Sequence, residues 1–588
     1  MLQDADMNNT RLSHSVAACL CLGLALAMPT TRAADEFATA HDHADGNSAA
    51  SYAFESAAIG QSDSAKPILL AQNQAANTSA VIRQIVIEYV GNHAQEELDG
   101  IYALPIMAQL QGQPASMANI ETLNKALAVH MRERGFMVAN AGLKQQVGND
   151  GKLIVVVYEG TIENLEVSRS ATYYNSELGN YLREQICDSA ASDCRGYSLK
   201  TPSVQRAVGI VSDLPGIKSA KVLLKPGGEN GTTNVTLNAI ETERNIAGYL
   251  AADNYGSRYT GRNRLTLGML ADNILTYADQ FLAEVAATDE RDNVTGQLSY
   301  SLPIGYDGLR TGLRLARSQY LLGDYFADLD SKGTSDIASV FARYPLIRSK
   351  DHNLYLHATY DYGQSRNHIL GVRQPEARTS GVGLSMDGRL TDNLLGVSYN
   401  SYGLSLYGGR IKAKDDDYTG ITGSYNTVNW NMSRDQELFS VGGARIGLYV
   451  GVRGQFASER LDGSRKMSLG GPTGVRGYQD GEGSGDEAVI GTVELRYSHY
   501  IQDVFSLGVP SFLTVGLVHD HGSRRDKTDD TVTDSNERSI HSNGIYVSLS
   551  VDDKYSLSMT WAKRGSSRPT TEIDPSDSRF WLRGSASF

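Results

Sequence analysis

From Arg244 to Phe588 the chain runs in segments of about ten residues in which apolar and polar side chains alternate. Leu265 to Leu270, Phe281 to Val285, Leu313 to Tyr320, Leu354 to Tyr360, Ile446 to Val452 and Ile545 to Val551 are examples, and Gly, Asp, Asn, Ser and Pro separate them. Successive side chains of a strand point to opposite faces, so this pattern builds sheet with one apolar and one polar face. A large soluble β-sandwich or propeller is the competing reading, but no blade-length repeat is present. The pattern predicts a transmembrane antiparallel β-barrel, apolar toward lipid and polar toward the lumen. A mean hydropathy of −0.31 excludes a helical membrane bundle and is ordinary for a barrel, where the two faces average out. Tyr 31 against Phe 12 and Trp 3 suits both strands and membrane boundaries. About eleven strands precede a long insert and about five follow it, giving about 16 in all, an even number as closed bacterial barrels require.

The N-terminus reads as a secretory signal over residues 1–34. Arg11 supplies the positive charge, Val16 to Met28 the short apolar run, and Thr31, Ala33 and Ala34 the small residues, with cleavage after Ala33 or Ala34. Cys19 and Cys21 leave with it. Cys187 and Cys194 remain, and in an oxidising compartment they can close a small loop; the alternative is two unpaired thiols. Residues 35–79 are rich in Ala, Ser, Asp, Gln and Asn, the composition of a flexible segment or linker. His41 and His43 there read as solvated and not as metal ligands. A net charge of −13 argues against a nucleic-acid binder.

Between the two lie two units, 80–160 and 161–243, of about 80 residues each. In the first, Ile82, Ile85, Ile87 and Tyr89 form a strand, and Leu98, Ile101, Leu104 and Met107 a helix. Ile120, Leu123, Leu127 and Met131 form a second helix, and two strands flank Asn149-Asp150-Gly151. The second unit repeats the order: a strand through Ile162, Leu165 and Val167, a helix from Tyr174 to Ile186, and a helix opened by Pro202. Two strands then surround Gly227 to Thr233. The fold class is therefore mainly β, two α+β domains followed by the barrel of 244–588.

The insert of 461–487 is long for a hairpin connection and contains Gly470-Gly471-Pro472-Thr473-Gly474-Val475-Arg476-Gly477-Tyr478. It has no lysine where a phosphate loop needs one. No Gly-x-Ser-x-Gly or His-Glu-x-x-His is present either, so no catalytic residues, metal site or cofactor are expected.

Val475-Arg476-Gly477-Tyr478, in a long loop before the fifth-from-last strand, resembles the signature of the POTRA-barrel superfamily of outer membranes, and the two units resemble its POTRA domains. Within it the chain most resembles the two-partner secretion transporters, the TpsB or haemolysin-activator type. Ala252 to Gly261 resembles the Asp-Asn-x-Gly segment at the start of their barrel. Glu159-Gly160 resembles the join of their POTRA domains, and Val518-His519-Asp520-His521-Gly522 their Asp-x-Gly motif. The resemblance implies an outer-membrane protein with periplasmic POTRA domains that exports an unfolded TpsA-type exoprotein. It implies a lumenal loop whose Arg476 meets Asp520 on the inner wall; the guanidinium fork can engage a carboxylate there bidentately. It implies a final strand, ending in Phe588, that the barrel assembly machinery reads. Members often carry a plug helix near the N-terminus; Ser48 to Ala58 is the best stretch here and a poor helix former. An assembly factor would normally carry more POTRA units, and a passive pore would need none.

Overall fold

The computed structural model describes residues 80–145, 150–168, 175–190, 193–289, 293–413, 422–501, 509–527, 536–571 and 575–588. The expected signal peptide, the 35–79 segment with His41 and His43, and Ser48 to Ala58 lie outside these residues.

The first unit runs β1 (Gln84–Val90), α1 (Ala94–Tyr102), α2 (Pro105–Gln109), α3 (Met117–Glu133), β2 (Asn140–Gln145) and β3 (Lys152–Tyr158). Strand β3 is central, parallel to β1 and antiparallel to β2. The expected single helix through Leu98 and Met107 is two helices. Pro105 forces Leu104 out of the helical region and opens α2 at a position where its missing N–H is not needed. Ser116 caps α3 by accepting from the Asn119 N–H, and Ile120, Leu123, Leu127 and Met131 are buried on one helix face. They share a core with Ile85, Ile87, Leu153, Val155 and Val157.

The second unit repeats this with β4 (Thr161–Val167), α4 (Asn175–Cys187), α5 (Thr201–Ser212), β5 (Ile217–Pro226) and β6 (Thr232–Glu241), in sheet order β4-β6-β5. Cys187 and Cys194 are joined by a disulfide, with Cα atoms 5.6 Å apart. Glu159 sits fully buried where the units meet. Its carboxylate accepts from Tyr89 Oη at 2.9 Å and from the His93 N–H at 3.0 Å in the first unit, and from Ser198 Oγ in the second. Main-chain bonds from Met137 N to Leu199 O and from Thr201 N to Gly135 O stitch the joint further.

The barrel strands are β7 (Ile246–Asp253), β8 (Arg264–Asp272), β9 (Gln280–Thr288), β10 (Val294–Ile304), β11 (Leu309–Leu321), β12 (Lys332–Arg348), β13 (His352–Ile369), β15 (Ala377–Asp392), β16 (Ser398–Ala413), β17 (Gly423–Val441), β18 (Ala444–Ala457), β19 (Glu487–Ile501), β20 (Ser511–Arg525), β21 (Glu537–Val551), β22 (Tyr555–Arg564) and β23 (Ser578–Ser587); β14 (Val372–Arg373) is a short extension that pairs with β13. Among the described residues this is a closed antiparallel barrel of sixteen strands. Five strands follow the insert and eleven precede it, as the alternation predicts. Leu313 and Leu315, Val382 and Leu384, and Val493, Leu495 and Tyr497 are exposed at alternate positions. That is the band a lipid-facing wall requires. Strand β23 closes on β7 over only five residue pairs, Arg583 with Asp253 to Ser587 with Tyr249. Phe588 extends the seam through main-chain bonds with Gly248 at 2.8 and 2.9 Å.

The second unit is docked on one end of the barrel through charges. Arg206 of α5 reaches Asp307, in the β10–β11 turn, at 2.8 Å, and Tyr344 Oη donates to the same carboxylate at 2.5 Å. Asp213, which caps α5, takes Arg348 at 2.7 and 2.8 Å and Tyr355 Oη at 2.8 Å. Burial pushes the Asp213 carboxyl up, but the Arg348 charge and its hydrogen bonds outweigh burial and hold the group below the usual carboxylate range. Asp307 is lowered in the same way: burial opposes, and Tyr344, Arg206 and Gln185 prevail. A lowered folded pKa means the docking contribution is full above the ordinary carboxylate range and is lost as the pH falls through the lowered value. Protection of the Thr201–Ser212 amides, taken relative to the intrinsic exchange rate at each pH, should therefore hold from neutral pH to about pH 4 and fall below it. Asp213→Asn should already show the weakened protection at neutral pH; full protection in that variant would remove Asp213 from the dock.

Candidate functional site

The chain leaves β18 at Ala457, re-enters the sheet at Glu487, and lays what lies between against the inward side chains of the wall. Its base is held by the fully buried Asp486, which accepts from the Leu461 and Lys527 N–H groups at 2.8 Å each. Met467 and Gly485 exchange two main-chain bonds at 3.0 Å, and Leu469 and Gly470 donate to Glu482 O. Leu469, Val475 and Tyr478 are buried against Ala488, Ile490 and Ile540 of the wall. Gly471 has a φ of +114°, which favours glycine. Gly470 and Gly474 press on the loop's own main chain, at Gln479 O and Leu469 O. A Cβ on Gly477 would lie 2.8 Å from both Cα and N of Arg564 on β22, so only glycine lets the tip reach the wall.

Arg476 stands at that tip, and its main chain and side chain have different partners. Its N–H donates to Asp520 Oδ2 at 3.1 Å. The guanidinium passes Asp520, with Nε 3.6 Å from Oδ2, and its Nη2 bonds the Glu494 carboxylate. The expected bidentate engagement of Asp520 is thus not what forms. Asp520 is fully buried well inside β20, and its oxygens already accept from Thr492 Oγ1 at 2.9 Å and Ser542 Oγ at 3.3 Å. Those hydroxyls are its register partners on the two neighbouring strands. Glu494 lies opposite Val518, two positions along, and its Oε1 takes the guanidinium.

From Glu494 the charges continue around the wall. Glu494 Oε2 takes Arg496 Nε at 2.8 Å, Arg496 Nη1 meets Asp435 at 2.5 Å, and Asp435 takes Arg445 Nη2 at 2.6 Å. Asp520, Glu494 and Asp435 alternate with Arg476, Arg496 and Arg445, and Arg445 Nε also stands 3.6 Å from Glu437. Arg496 lies over the Tyr449 ring at 4.0 Å and Arg476 over Tyr546 at 5.8 Å. A second clamp comes from the β22–β23 connection. The buried Glu482 carboxylate accepts from the Thr570 and Thr571 N–H groups at 3.0 Å each and pairs with Arg538 at 2.7 Å, while Tyr478 Oη donates to Ser567 O at 2.9 Å.

The first-strand motif meets the same place. Asn254 bonds across the seam to Phe580 O and to the Leu582 N–H, each at 2.8 Å. Tyr255 packs edge-on to Trp581 at 5.9 Å, and Trp581 Nε1 donates to Arg476 O at 2.8 Å. The loop tip, the Asp520 strand and the barrel seam are thus one connected cluster. Glu494, Arg496, Glu482 and Trp581 were not singled out from sequence. Glu494 and Arg496 could have been found, because they interrupt the inward positions between the lipid-facing Val493, Leu495 and Tyr497.

The family described as haemolysin secretion/activation protein ShlB/FhaC/HecB matches residues 231–534, more than half of the chain. The chain belongs to this family. A ShlB-type POTRA domain matches residues 81–160, the first unit. The heme/hemopexin transporter protein HuxB of Haemophilus influenzae (strain 86-028NP) is 24% identical over 491 residues, 81% of this chain and 82% of that protein. The outer membrane transporter CdiB of Dickeya dadantii is 22% identical over 383 residues, 62% of this chain and 64% of that one. The solved structure of CdiB from Escherichia coli shares the fold, with a TM-score of 0.67 at 18% identity over 88% of this chain and 93% of that one. The protein is a two-partner secretion transporter of the outer membrane, with its POTRA region in the periplasm. The barrel end docked to α5 therefore faces the periplasm.

Removing one partner of a buried ion pair strands the other, which typically costs about 3–5 kcal/mol. Glu494→Ala should therefore loosen the seat of Arg476 while leaving the Asp520 main-chain bond. The expected readout is faster proteolysis within 461–487 in the purified, folded protein. Gly477→Val should displace the tip by direct collision with β22 and raise single-channel conductance in planar bilayers; unchanged conductance would mean the tip does not obstruct the lumen.

Proposed function

We propose that the two α+β units capture the secretion domain of an unfolded TpsA-type exoprotein in the periplasm and pass it outward through the barrel. The loop tip at Arg476 must then leave the conduction path. The observation that carries this reading is the docking of α5 directly onto the periplasmic turns of a barrel whose lumen holds the Arg476 loop. The sheet orders leave β1 and β2 in the first unit, and β4 and β5 in the second, as edge strands. On β5, Lys218, Ser219, Lys221 and Lys225 are exposed, while Val222, Leu223 and Leu224 are half-buried. An edge strand of this kind offers main-chain hydrogen bonds to an extended segment, and side pockets select it. Its lysines discourage pairing with copies of itself. The periplasm supplies no nucleotide, so folding of the exoprotein outside is the drive that fits.

Two experiments test this. Deleting the gene should abolish the surface or supernatant level of a large exoprotein encoded beside it; an unchanged level would sink the export reading. Arg476→Ala and Asp520→Ala should each lower export by about tenfold or more, with the barrel still inserting and showing heat-modifiable migration. Wild-type export in both variants would leave the lock without a role in transport.

A further inference from the structure

The outward face of β10–β13 carries a charged cluster beside a cavity. Asp307 is held against Arg206 at the periplasmic end, so β11 starts there at Leu309 and reaches the outer side at Leu321. Arg317 on β11, Asp336 on β12 and Arg366 on β13 all lie toward the outer ends of their strands. They have the parity of Leu313 and Leu315, of Val340, and of Tyr360 and Tyr362, which are exposed on the lipid-facing wall. Asp336 Oδ2 accepts from Arg366 Nη2 at 2.6 Å, and Arg317 Nε stands 3.6 Å from Oδ1. One carboxylate between two guanidiniums leaves one positive charge, and the arginine side chains remain 58% and 38% exposed.

Leu298, Leu315, Ala338 and Tyr362 form one row across the four strands, one step closer to the bilayer centre than Arg317, Asp336 and Gln364. These two rows line a cavity of about 470 Å³. Gly296, the register partner of Arg317, makes the notch: a Cβ there would have only Glu284 O within contact, at 3.5 Å. Guanidinium groups facing lipid are disfavoured unless headgroups meet them, and their planar fork matches phosphate. We propose that this notch is a binding site for a phosphorylated glycolipid of the outer leaflet, of the lipid A class. A phosphate lies on Arg317 and Arg366, and an acyl chain lies along Leu298, Leu315 and Tyr362. Basic pockets on membrane proteins recognise anionic lipid headgroups by the same physics.

Native mass spectrometry of the full-length protein in detergent, titrated with lipid A and with dephosphorylated lipid A, tests the site. The wild type should prefer the phosphorylated form by about tenfold or more. Arg317→Ala with Arg366→Ala should lose that preference with heat-modifiable migration intact. Asp336→Asn should keep or increase it, since it removes only the negative charge. Gly296→Leu should weaken lipid A binding by filling the notch without touching a charge. Equal binding of the two lipids by the wild type, or an undiminished preference in the double arginine variant, would overturn the proposal, as would loss of the preference in Asp336→Asn.

Discussion

Two carboxylates buried on the inner wall, Glu494 and Asp520, govern how this barrel is filled. A buried charge without a partner is far more costly than a partnered one is beneficial. Neither carboxylate can therefore sit on the inner wall without cationic or hydrogen-bonding partners. The wall itself supplies Thr492, Ser542 and Arg496, and the loop supplies the Arg476 N–H and guanidinium. The wall specifies the loop's position as much as the loop specifies its own. The glycines then act as clearance: with a side chain at position 477 the tip would stop against β22 before its charges met the wall.

The same cluster ties together elements far apart in the chain. Trp581 on the last strand holds the Arg476 carbonyl, and Tyr255, next to the first barrel strand, packs on Trp581. The seam itself has few ladder pairs, and the Asn254 side chain adds two more bonds to it. Loop seating and barrel closure therefore share residues. The β22–β23 connection, gripped by Glu482, binds the loop to that same side of the barrel. At the other end the second unit is fixed by Arg206, Asp213, Asp307 and Arg348, and Glu159 fixes the first unit to the second.

How much of this is legible in sequence depends on range. Period-two alternation is local, so the strands, their number and the lipid-facing set could be read directly. So could the repeated α+β order and the position of the long insert. Pro105 was a local signal too, and weighing it would have divided the helix that the Leu98–Met107 spacing suggested. The guanidinium's partner was a different matter. Whether Arg476 meets Asp520 or Glu494 depends on the β19–β20 register, in which Thr492 faces Asp520 and Glu494 faces Val518. Periodicity gives each residue a face, but not a height on its neighbour. The resemblance brought Arg476 and Asp520 to one neighbourhood; only the register shows that cross-strand hydroxyls occupy the aspartate and pass the guanidinium on. The Arg206–Asp307 and Arg348–Asp213 contacts are equally invisible, because each joins a helix to a strand end or turn more than a hundred residues away.

The composition of the cluster bears on how a filled barrel can serve export. An apolar plug would be held by burial, and its release would expose apolar surface to the water-filled lumen. Where charges and hydrogen bonds hold the tip, water and an incoming polar main chain can replace its partners one at a time, and only the small cluster of Leu469, Val475 and Tyr478 on the wall is apolar. The alternating series along the wall helps, since losing Arg476 leaves Glu494 still paired with Arg496. Asp520 likewise keeps two hydroxyl donors when the tip departs. The wall is thus built to tolerate the loop's absence better than the loop's own arginine tolerates the wall's. Arg476 must carry its charge into solvent or onto the passing chain, and there its penalty is smallest.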